Sequence, residues 1–198
     1  MTNIDICNMA LAHIAKGRII SLDSQVEEAR QCKIYYEHLR KTVLTDFNWG
    51  FAKRIVPLAL LDVKVASWDY VYAYPNQCIA ARLIFNKDGA KVREFEKEKF
   101  DVFLVGDSTK AIGCDIANAS LEYTYDAKEP DLYSAEFIEA LSRLLASAIA
   151  ISLTGNANLQ ATQYQFYQVA LNKARYASAT ERERKPMYPN TYGNARFS

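Results

Sequence analysis

The fold of this chain is decided by one apolar segment, Phe137-Ile-Glu-Ala-Leu-Ser-Arg-Leu-Leu-Ala-Ser-Ala-Ile-Ala-Ile-Ser-Leu153. Its large apolar residues recur at helical spacing and form a broad face, and small residues occupy much of the remaining surface. Pro130, Asp131 and Ser134 precede it, as the start signals of a helix do. The pattern predicts a helix that is buried on several sides, so other elements must pack around it.

A long amphipathic helix is predicted directly after this segment. Thr154-Gly155-Asn156 ends the helix of the apolar segment, and the amphipathic helix begins near Ala157. Its other surface is rich in Gln and Asn and becomes strongly charged over 181–185. The expected buried stripe has near-heptad spacing and consists of Gln160, Tyr164, Tyr167, Leu171, Ala174 and Ser178.

The N-terminal part of the chain predicts a second pair of helices. Thr2 or Asn3 can cap a first helix, which Gly17 is placed to end. Asp23 or Ser24 is expected to open a second helix, whose buried stripe would be Val26, Ala29, Cys32 or Lys33, Tyr36, Leu39, Val43 and Leu44. Because neither pair covers its own apolar stripes, the N-terminal and C-terminal helices are expected to form one bundle.

From Phe47 onward the pattern changes to short β-type runs. The predicted strands are 55–60, 70–74, 78–85, 100–105, 110–113 and 119–125. Turn signals at Asn86-Lys87-Asp88-Gly89 and at Gly106-Asp107-Ser108 separate such runs, which favours an antiparallel meander. The expected fold class is therefore α+β, a helical bundle with an inserted antiparallel β-rich region.

The C-terminal stretch has no periodicity with which to fold on itself. Pro186 and Pro189 exclude a helix there. Large side chains occur at intervals along it, namely Tyr188, Tyr192, Arg196 and Phe197. We interpret this stretch as an extended arm that needs a partner, because aromatic and Arg side chains are the usual anchors of interfaces. A frayed terminus is the alternative.

These patterns divide the chain into four parts. The N-terminal helices occupy 1–50, the β-rich insertion 51–127, the C-terminal helices 128–184 and the arm 185–198.

Composition limits the classes of protein to which the chain can belong. Half of its 198 residues are apolar, which is enough for a sizeable core, and the formal net charge of +1 gives no global field to recruit nucleic acid or anionic lipid. Neither a secretion signal nor a membrane anchor is expected, since the longest apolar stretch, 144–153, is too short to span a bilayer. The four cysteines lack CxxC spacing, which predicts reduced, buried thiols at Cys7, Cys32, Cys78 and Cys114.

The sequence offers little catalytic chemistry. His13 lies near an apolar face and His38 among charged residues, which favours a core and a surface role respectively. No HExxH, GxSxG, Walker or GxGxxG motif is present, which disfavours a nucleotide-dependent enzyme, and neither a cofactor nor a metal is expected.

Two functions remain open on the residues alone. A cell-wall hydrolase would need a carboxylate pair from among Asp101, Asp107, Asp115, Glu122 and Asp126. A nucleic-acid-binding module would need a basic groove formed from Arg40, Lys41, Lys53, Arg54, Arg82, Lys87, Lys91 and Arg93.

The junction between the second helix and the β-rich region carries a recognisable pattern. It reads Leu44-Thr-Asp-Phe-Asn-Trp-Gly-Phe-Ala-Lys-Arg54 and then Trp68-Asp-Tyr-Val-Tyr-Ala-Tyr-Pro-Asn-Gln-Cys-Ile-Ala-Ala-Arg82. With the opening segments 6–14, 20–23 and 28–32, it resembles the head-to-tail adaptor proteins of tailed phages, including the tail tubular protein A group. Asn76-Gln77 departs from the pattern, because relatives often carry a small or acidic pair there, and the stretch beyond Lys185 matches no motif of the family.

The resemblance implies a non-enzymatic virion protein that forms a ring, commonly a dodecamer, in the neck of the particle. Such a connector is assembled in the cytoplasm of the host bacterium. It joins the portal protein of the DNA-filled head to the next tail component, a nozzle or tail tube protein, and genomic DNA passes through its lumen during ejection without sequence-specific binding. No membrane and no cofactor is involved.

Three sets of residues receive roles on this reading. The arm residues Tyr188, Tyr192, Arg196 and Phe197 would anchor the chain to the portal. The turns at Asn86, Lys87, Asp88 and Gly89 and at Gly106, Asp107 and Ser108 would face the tail. The third set is expected to form the structural joint between bundle and sheet, and consists of Trp49, Phe51, Arg54, Tyr74, Pro75 and Arg82.

Overall fold

The computed structural model describes residues 1–86 and 99–181, and the arm residues and Lys87, Asp88 and Gly89 lie outside these ranges. The described part combines four α-helices with two small antiparallel sheets, a mixed α and β architecture as expected. The helices are α1 (Asn3–His13), α2 (Glu27–Asp46), α3 (Ala135–Thr154) and α4 (Ala157–Thr180). The strands are β1 (Lys53–Pro57), β2 (Tyr70–Ala73), β3 (Cys78–Asn86), β4 (Phe100–Val105), β5 (Thr109–Cys114) and β6 (Ala119–Tyr125).

The helix ends follow from local capping, with two corrections to the predicted bounds. Thr2 and Asp5 form a capping box at the start of α1, which ends at His13 rather than at Gly17. α2 begins at Glu27, not at Asp23 or Ser24, and has no side-chain cap at its start. Asp23 is engaged instead by Lys33, whose ammonium lies 2.7 Å from its carboxylate.

The turn between α3 and α4 is built as its sequence predicts. Gly155 adopts the left-handed conformation with φ 66°, which glycine tolerates without the steric cost of a Cβ, and its N–H donates to the carbonyl of Ile151. The side chain of Asn156 then accepts from the N–H of Leu159 at the start of α4. The two helices therefore run back along each other.

α3 is the central helix of the larger core. It packs against each of the other three helices, and residues from both ends of the chain join one hydrophobic cluster with it. By length and composition α3 is apolar enough to cross a membrane, and it extends beyond the stretch 144–153. Phe137, Leu141, Leu145 and Ile149 of this helix are buried. Packing inside the protein therefore accounts for its apolar composition.

The six strands do not form a simple meander, which corrects the prediction. β6, the last strand in the chain, lies between β1 and β3 in the first sheet, and β5 lies between β2 and β4 in the second. β4 and β5 form a hairpin through a turn in which Gly106 has φ 61°. β6 is more buried than the edge strands β1 and β3 beside it, and the last four residues of β5 are buried, as is expected of strands with a neighbour on each side.

A second, smaller core lies within the β-rich region. It contains Tyr72, Ile84, Ile112 and Leu121, among others. Trp68 and Phe103 pack onto Gly113 so closely that a Cβ at this position would lie 2.3 Å from Trp68 Cδ1 and 2.8 Å from Phe103 Cε1. The glycine is thus required by packing. All four cysteines are free thiols.

Candidate functional site

The predicted joint begins with an aromatic cluster where α2 leads into β1. Trp49 is fully buried and donates from Nε1 to the carbonyl of Val43 over 2.8 Å. Its ring lies 5.2 Å from that of Phe137 in an edge-to-face arrangement, and Phe51 lies 5.0 Å from the same ring. Tyr133 completes the cluster at 4.9 Å from Phe137. These rings tie the end of α2 to the start of α3.

Arg82 links the first sheet to the end of α2. From β3 it donates through Nη2 to the carbonyls of Thr45 and Phe47, at 2.8 and 3.0 Å, and through Nε to Thr124 Oγ1 on β6. α2 has no basic residue in its last turn. A guanidinium from another element therefore satisfies carbonyls at its C-terminal end.

The remaining joint residues lie apart from this cluster. Arg54 on β1 is exposed, and its Cζ lies 3.4 Å from the centre of the Tyr125 ring. Tyr74 packs against the smaller core with Lys110 Nζ 3.9 Å above its ring, and the carbonyl of Pro75 accepts from the N–H of Cys78. The structure thus brings together Trp49, Phe51 and Arg82 near the end of α2. It places Arg54 on β1, and Tyr74 and Pro75 in the connection between β2 and β3.

A buried ion cluster connects the helices to the end of the β-rich region, and the sequence reading missed it. Arg40, treated there as a surface cation, is completely buried. It donates to Asp126 Oδ1 at 2.7 Å, to the carbonyl of Ala127 at 2.6 Å and to Glu37 Oε2 at 2.8 Å. Burial acts to lower the pKa of Arg40, but the hydrogen bonds with Glu37 and Asp126 outweigh it and raise the pKa.

The partners of these charges bear on both alternative functions. Asp126 is held by Arg40, and Glu122 accepts from Asn48 Nδ2 and lies 3.7 Å from Lys53 Nζ. These two carboxylates therefore have structural partners. Since Arg40 is buried and Arg82 is bonded at the joint, the proposed basic groove loses two of its members. No group of three or more metal-ligating side chains occurs in residues 1–86 and 99–181.

The tail-facing turns are described only in part. Gly106, Asp107 and Ser108 form the exposed β4–β5 turn, and Asn86 ends β3. Lys87, Asp88, Gly89 and the arm residues Tyr188, Tyr192, Arg196 and Phe197 lie outside the described residues. The β4–β5 turn is thus available on the surface, as a contact with another protein requires.

A groove with a volume of about 390 Å³ lies between α3 and α4. Apolar side chains and the aliphatic parts of charged ones line it together. The lining residues are Ala135, Glu136, Glu139, Arg143, Phe166, Val169, Ala170 and Lys173. We refer to these eight residues as the α3–α4 groove.

α4 carries two side-chain stripes, and the second one borders this groove. The predicted stripe is buried at Tyr167, Leu171, Ala174 and Ser178, although Tyr164 is half exposed. The second stripe consists of Phe166, Val169, Lys173 and Tyr176, separated by three, four and three residues. Phe166, Val169 and Tyr176 are 49%, 55% and 69% exposed. Spacing of this kind forms the seam along which two helices pack.

The sequence contained a signal for the second stripe. Its large side chains recur at helical spacing among Gln and Asn residues, but a search for one best stripe assigns a helix a single apolar face. Only the packing of α4 against the rest of the protein shows which stripe is already covered.

Charges at the groove are partly paired. Arg143 donates to Glu139 Oε1 at 2.7 Å and to Gln163 Oε1 at 3.0 Å, and its Cζ lies 5.2 Å from the centre of the Phe166 ring. Glu136 and Lys173 have no ion-pair partner among the residues that the structure describes. The groove therefore offers an apolar floor beside Glu136 and Lys173, neither of which has an ion-pair partner within residues 1–86 and 99–181.

His13 lies beside the groove at the end of α1. Its Nε2 is 3.2 Å from Ser142 Oγ and 4.0 Å from Glu139 Oε1. Burial, and then the nearby Arg143 guanidinium, lower the pKa of His13, although Glu139 opposes the shift. The arrangement favours a neutral imidazole that packs α1 against α3.

The geometry of this surface suits the binding of another helix or apolar segment. In comparisons with known proteins, no family model matches the chain and no curated protein matches it either.

Proposed function

We propose that this chain is a structural virion protein, a head-to-tail adaptor whose copies form a ring between the portal and the tail of a phage. The observation that carries the proposal is the second stripe of α4, with its seam spacing and three large side chains in solvent beside the α3–α4 groove. A helix with one covered seam and one open seam is suited to assembly with a further chain. The resemblance of segments 44–54 and 68–82 to phage adaptors indicates that this assembly is an adaptor ring.

In this proposal the four helices act as one bundle and form the wall of the ring. The aromatic cluster around Phe137 and the contacts of Arg82 hold the sheets at a fixed position on that bundle. The exposed turn at Gly106, Asp107 and Ser108 then faces the next tail component, a nozzle or tail tube protein. The near-neutral charge of the chain suits a channel through which DNA must slide.

The arm, residues 185–198, attaches the ring to the portal in this proposal. Tyr188, Tyr192, Arg196 and Phe197 are its anchors, since aromatic and Arg side chains contribute most to the affinity of interfaces. The whole particle then has a continuous channel from head to tail, and DNA passes through it during ejection without sequence-specific contacts.

Mass photometry of the chain, alone and mixed with the portal of the same phage, tests the proposal. We expect the portal peak to gain a discrete mass that corresponds to many copies of this 22.4 kDa chain. An unchanged portal peak at every salt concentration, with the chain folded, would refute the adaptor function.

Deleting residues 186–198 tests the role of the arm. The truncated chain should keep its fold, because residues within 1–86 and 99–181 already form two hydrophobic cores. It should lose attachment to the portal, and a chain with both Tyr188→Ala and Tyr192→Ala should bind more weakly. Unchanged attachment of the truncated chain would contradict the role assigned to the arm. The ring itself would still be tested by the mass that the portal gains in mass photometry.

A further inference from the structure

We propose that the α3–α4 groove of the free subunit receives residues 186–189 of the chain's own C-terminal arm, with Tyr188 beside Val169 and Phe166. The contact itself needs no portal. Its consequence for ring assembly rests on the proposed adaptor function.

The arm contains a short proline motif, Pro186-Met187-Tyr188-Pro189. Each proline fixes its own φ at about −65° and disfavours a helical conformation of the residue before it, so this sequence favours a polyproline II conformation. Segments with two prolines at this spacing dock in grooves lined by aromatic side chains, because they lose little conformational entropy on binding. The motif therefore predicts an apolar, aromatic groove as its binding site.

The second stripe of α4 and the α3–α4 groove together offer such a surface. Phe166 lines the groove, Tyr176 lies on the same stripe, and Val169 lies between them, all three about half exposed or more. Ala135 and Ala170 carry short side chains in the lining, so a ring can approach the floor of the groove. Proline and tyrosine rings would cover apolar surface that is now in solvent.

The charges of the groove suit an uncharged occupant. Glu136 and Glu139 are balanced by Arg143 and Lys173 in the lining, so a strongly charged segment gains no net attraction there. Residues 186–195 of the arm carry no charged side chain. Apolar and aromatic contacts, rather than ion pairs, would therefore hold the motif in place.

The end of α4 places the motif within reach of the groove. Glu181 is the C-cap of α4, and Val169 and Phe166 lie about 18 and 22 Å back along the helix from it, at about 1.5 Å per residue. The seven residues 182–188 span up to about 22 Å in a polyproline II conformation. A chain that reverses direction after α4 therefore brings Tyr188 beside these two side chains.

The short tether favours the chain's own arm over other occupants. A flexible connection of a few residues gives the motif an effective concentration on the order of millimolar at its own groove. A second copy in solution at micromolar concentration would need a far higher affinity to displace it. The first occupant of the groove is thus the segment that the same chain supplies.

This contact would order the assembly of the ring. In the proposed ring a neighbouring chain covers the second stripe of α4, and the arm binds the portal. Since Tyr188 cannot occupy the groove and the portal at once, portal binding withdraws it and uncovers the stripe for the next copy. The free subunit therefore remains a monomer until it reaches the portal.

Nuclear magnetic resonance of the full-length chain, with labelled methyl groups and without the portal, tests the contact. The Val169 methyls should show Overhauser cross peaks to the ring protons of Tyr188, and Tyr188→Ala should remove them. Absence of these cross peaks in the wild type would overturn the proposal. Cross peaks that arise only between differently labelled copies would also overturn it, because the arm would then bind a second chain.

Tyr192→Ala is the matched control. It removes the same side chain from the same arm, at a position about 12 Å further along a polyproline II segment. The cross peaks between Val169 and Tyr188 should persist in this variant. Their loss would show that the motif 186–189 is not the segment that binds, and would overturn the specific contact.

Sedimentation velocity tests the consequence for assembly. A groove that the arm occupies in nine of ten subunits lowers the apparent affinity for a neighbouring copy by about tenfold. Tyr188→Ala should therefore self-associate about tenfold more tightly than the wild type, whereas Tyr192→Ala should not. Equal self-association of Tyr188→Ala and the wild type would overturn the role of the contact in assembly.

Failure of this inference is distinguishable from failure of the adaptor function. A chain that loads the portal in mass photometry but shows no cross peak between Val169 and Tyr188 would retain the adaptor and reject the arm contact. A chain that shows the cross peak but leaves the portal mass unchanged would retain the arm contact and reject the adaptor.

Discussion

At the scale of single residues, Arg40 has the largest structural role that the sequence reading did not assign. A long cation at the polar side of a predicted helix is normally solvated, and nothing nearby in sequence predicts a partner 86 residues away at Asp126. The sequence does contain both charges, but only the tertiary fold brings them together. Arg40 thereby joins α2 to the segment that leads from β6 into α3.

Replacing Arg40 with Met should strongly destabilise the protein. The change removes the buried cation and leaves Asp126, whose side chain is only 10% exposed, with only the half-exposed Lys41 ammonium 3.8 Å away. We expect the free energy of unfolding to fall by roughly 3–5 kcal/mol in urea titrations. Arg30→Met on the same helix removes an exposed pair and should cost about 0–1 kcal/mol. If Arg40→Met lowered the free energy of unfolding no more than Arg30→Met does, the Arg40 cluster would contribute little to stability.

Gly113 should tolerate no side chain. Its close contacts with Trp68 and Phe103 predict that Gly113→Ala forces those rings to move, with a loss of about 1–3 kcal/mol in the free energy of unfolding. Gly17→Ala is the matched control, because no heavy atom lies within 4 Å of its added Cβ, and it should change stability by less than about 0.5 kcal/mol. Thermal unfolding of both variants distinguishes packing from a general effect of replacing glycine.

His13 should make the protein less stable in mild acid. Since burial lowers its pKa below the ordinary value of 6.5, the unfolded chain takes up this proton at a higher pH than the folded chain does. The stability that neutral His13 contributes is therefore complete above pH 6.5 and is lost as the pH falls through the folded pKa. Between about pH 8 and about pH 5, the wild type should lose more stability than His13→Gln does. Parallel pH profiles for the two proteins would reject this assignment.

At the scale of elements, the end of α2 depends on a side chain from the first sheet. Arg82→Met removes the donor to the Thr45 and Phe47 carbonyls, and hydrogen bonds from a charged donor of this kind contribute about 1.5–3 kcal/mol. Hydrogen exchange should accelerate in the last turn of α2 and in the following segment. Arg54→Met, on β1 of the same sheet, should leave exchange there unchanged. Acceleration in both variants would point to loosening of the sheet instead.

Secondary structure was predictable because it depends on local patterns. The β-type runs near 70–74, 78–85, 100–105 and 119–125 all became strands, and Gly155 and Asn156 separated α3 from α4 as predicted. The order of strands within the sheets was not predictable, since it depends on which strand can be buried on both faces. For the same reason the sequence could not tell which stripe of α4 is covered, and the groove followed only from the fold.

At the scale of the whole molecule, the described part of the chain combines two hydrophobic cores that side-chain contacts join. The aromatic cluster, the Arg40 cluster and Arg82 fix the β-rich region to the helices, while the second stripe of α4 remains exposed beside the α3–α4 groove. In the proposed ring, this exposed stripe is the surface that a further chain covers. The roles of the arm and the β4–β5 turn follow from the same proposal, as contacts above and below that ring.

Electron microscopy of single particles, with the portal of the same phage mixed with an excess of this chain, tests the adaptor ring most directly. The account predicts a closed ring of copies coaxial with the portal, with an open central channel and the α3–α4 groove of each copy covered by a neighbouring chain. Portal particles without added density, or portals decorated by separate copies that do not touch one another, would contradict it.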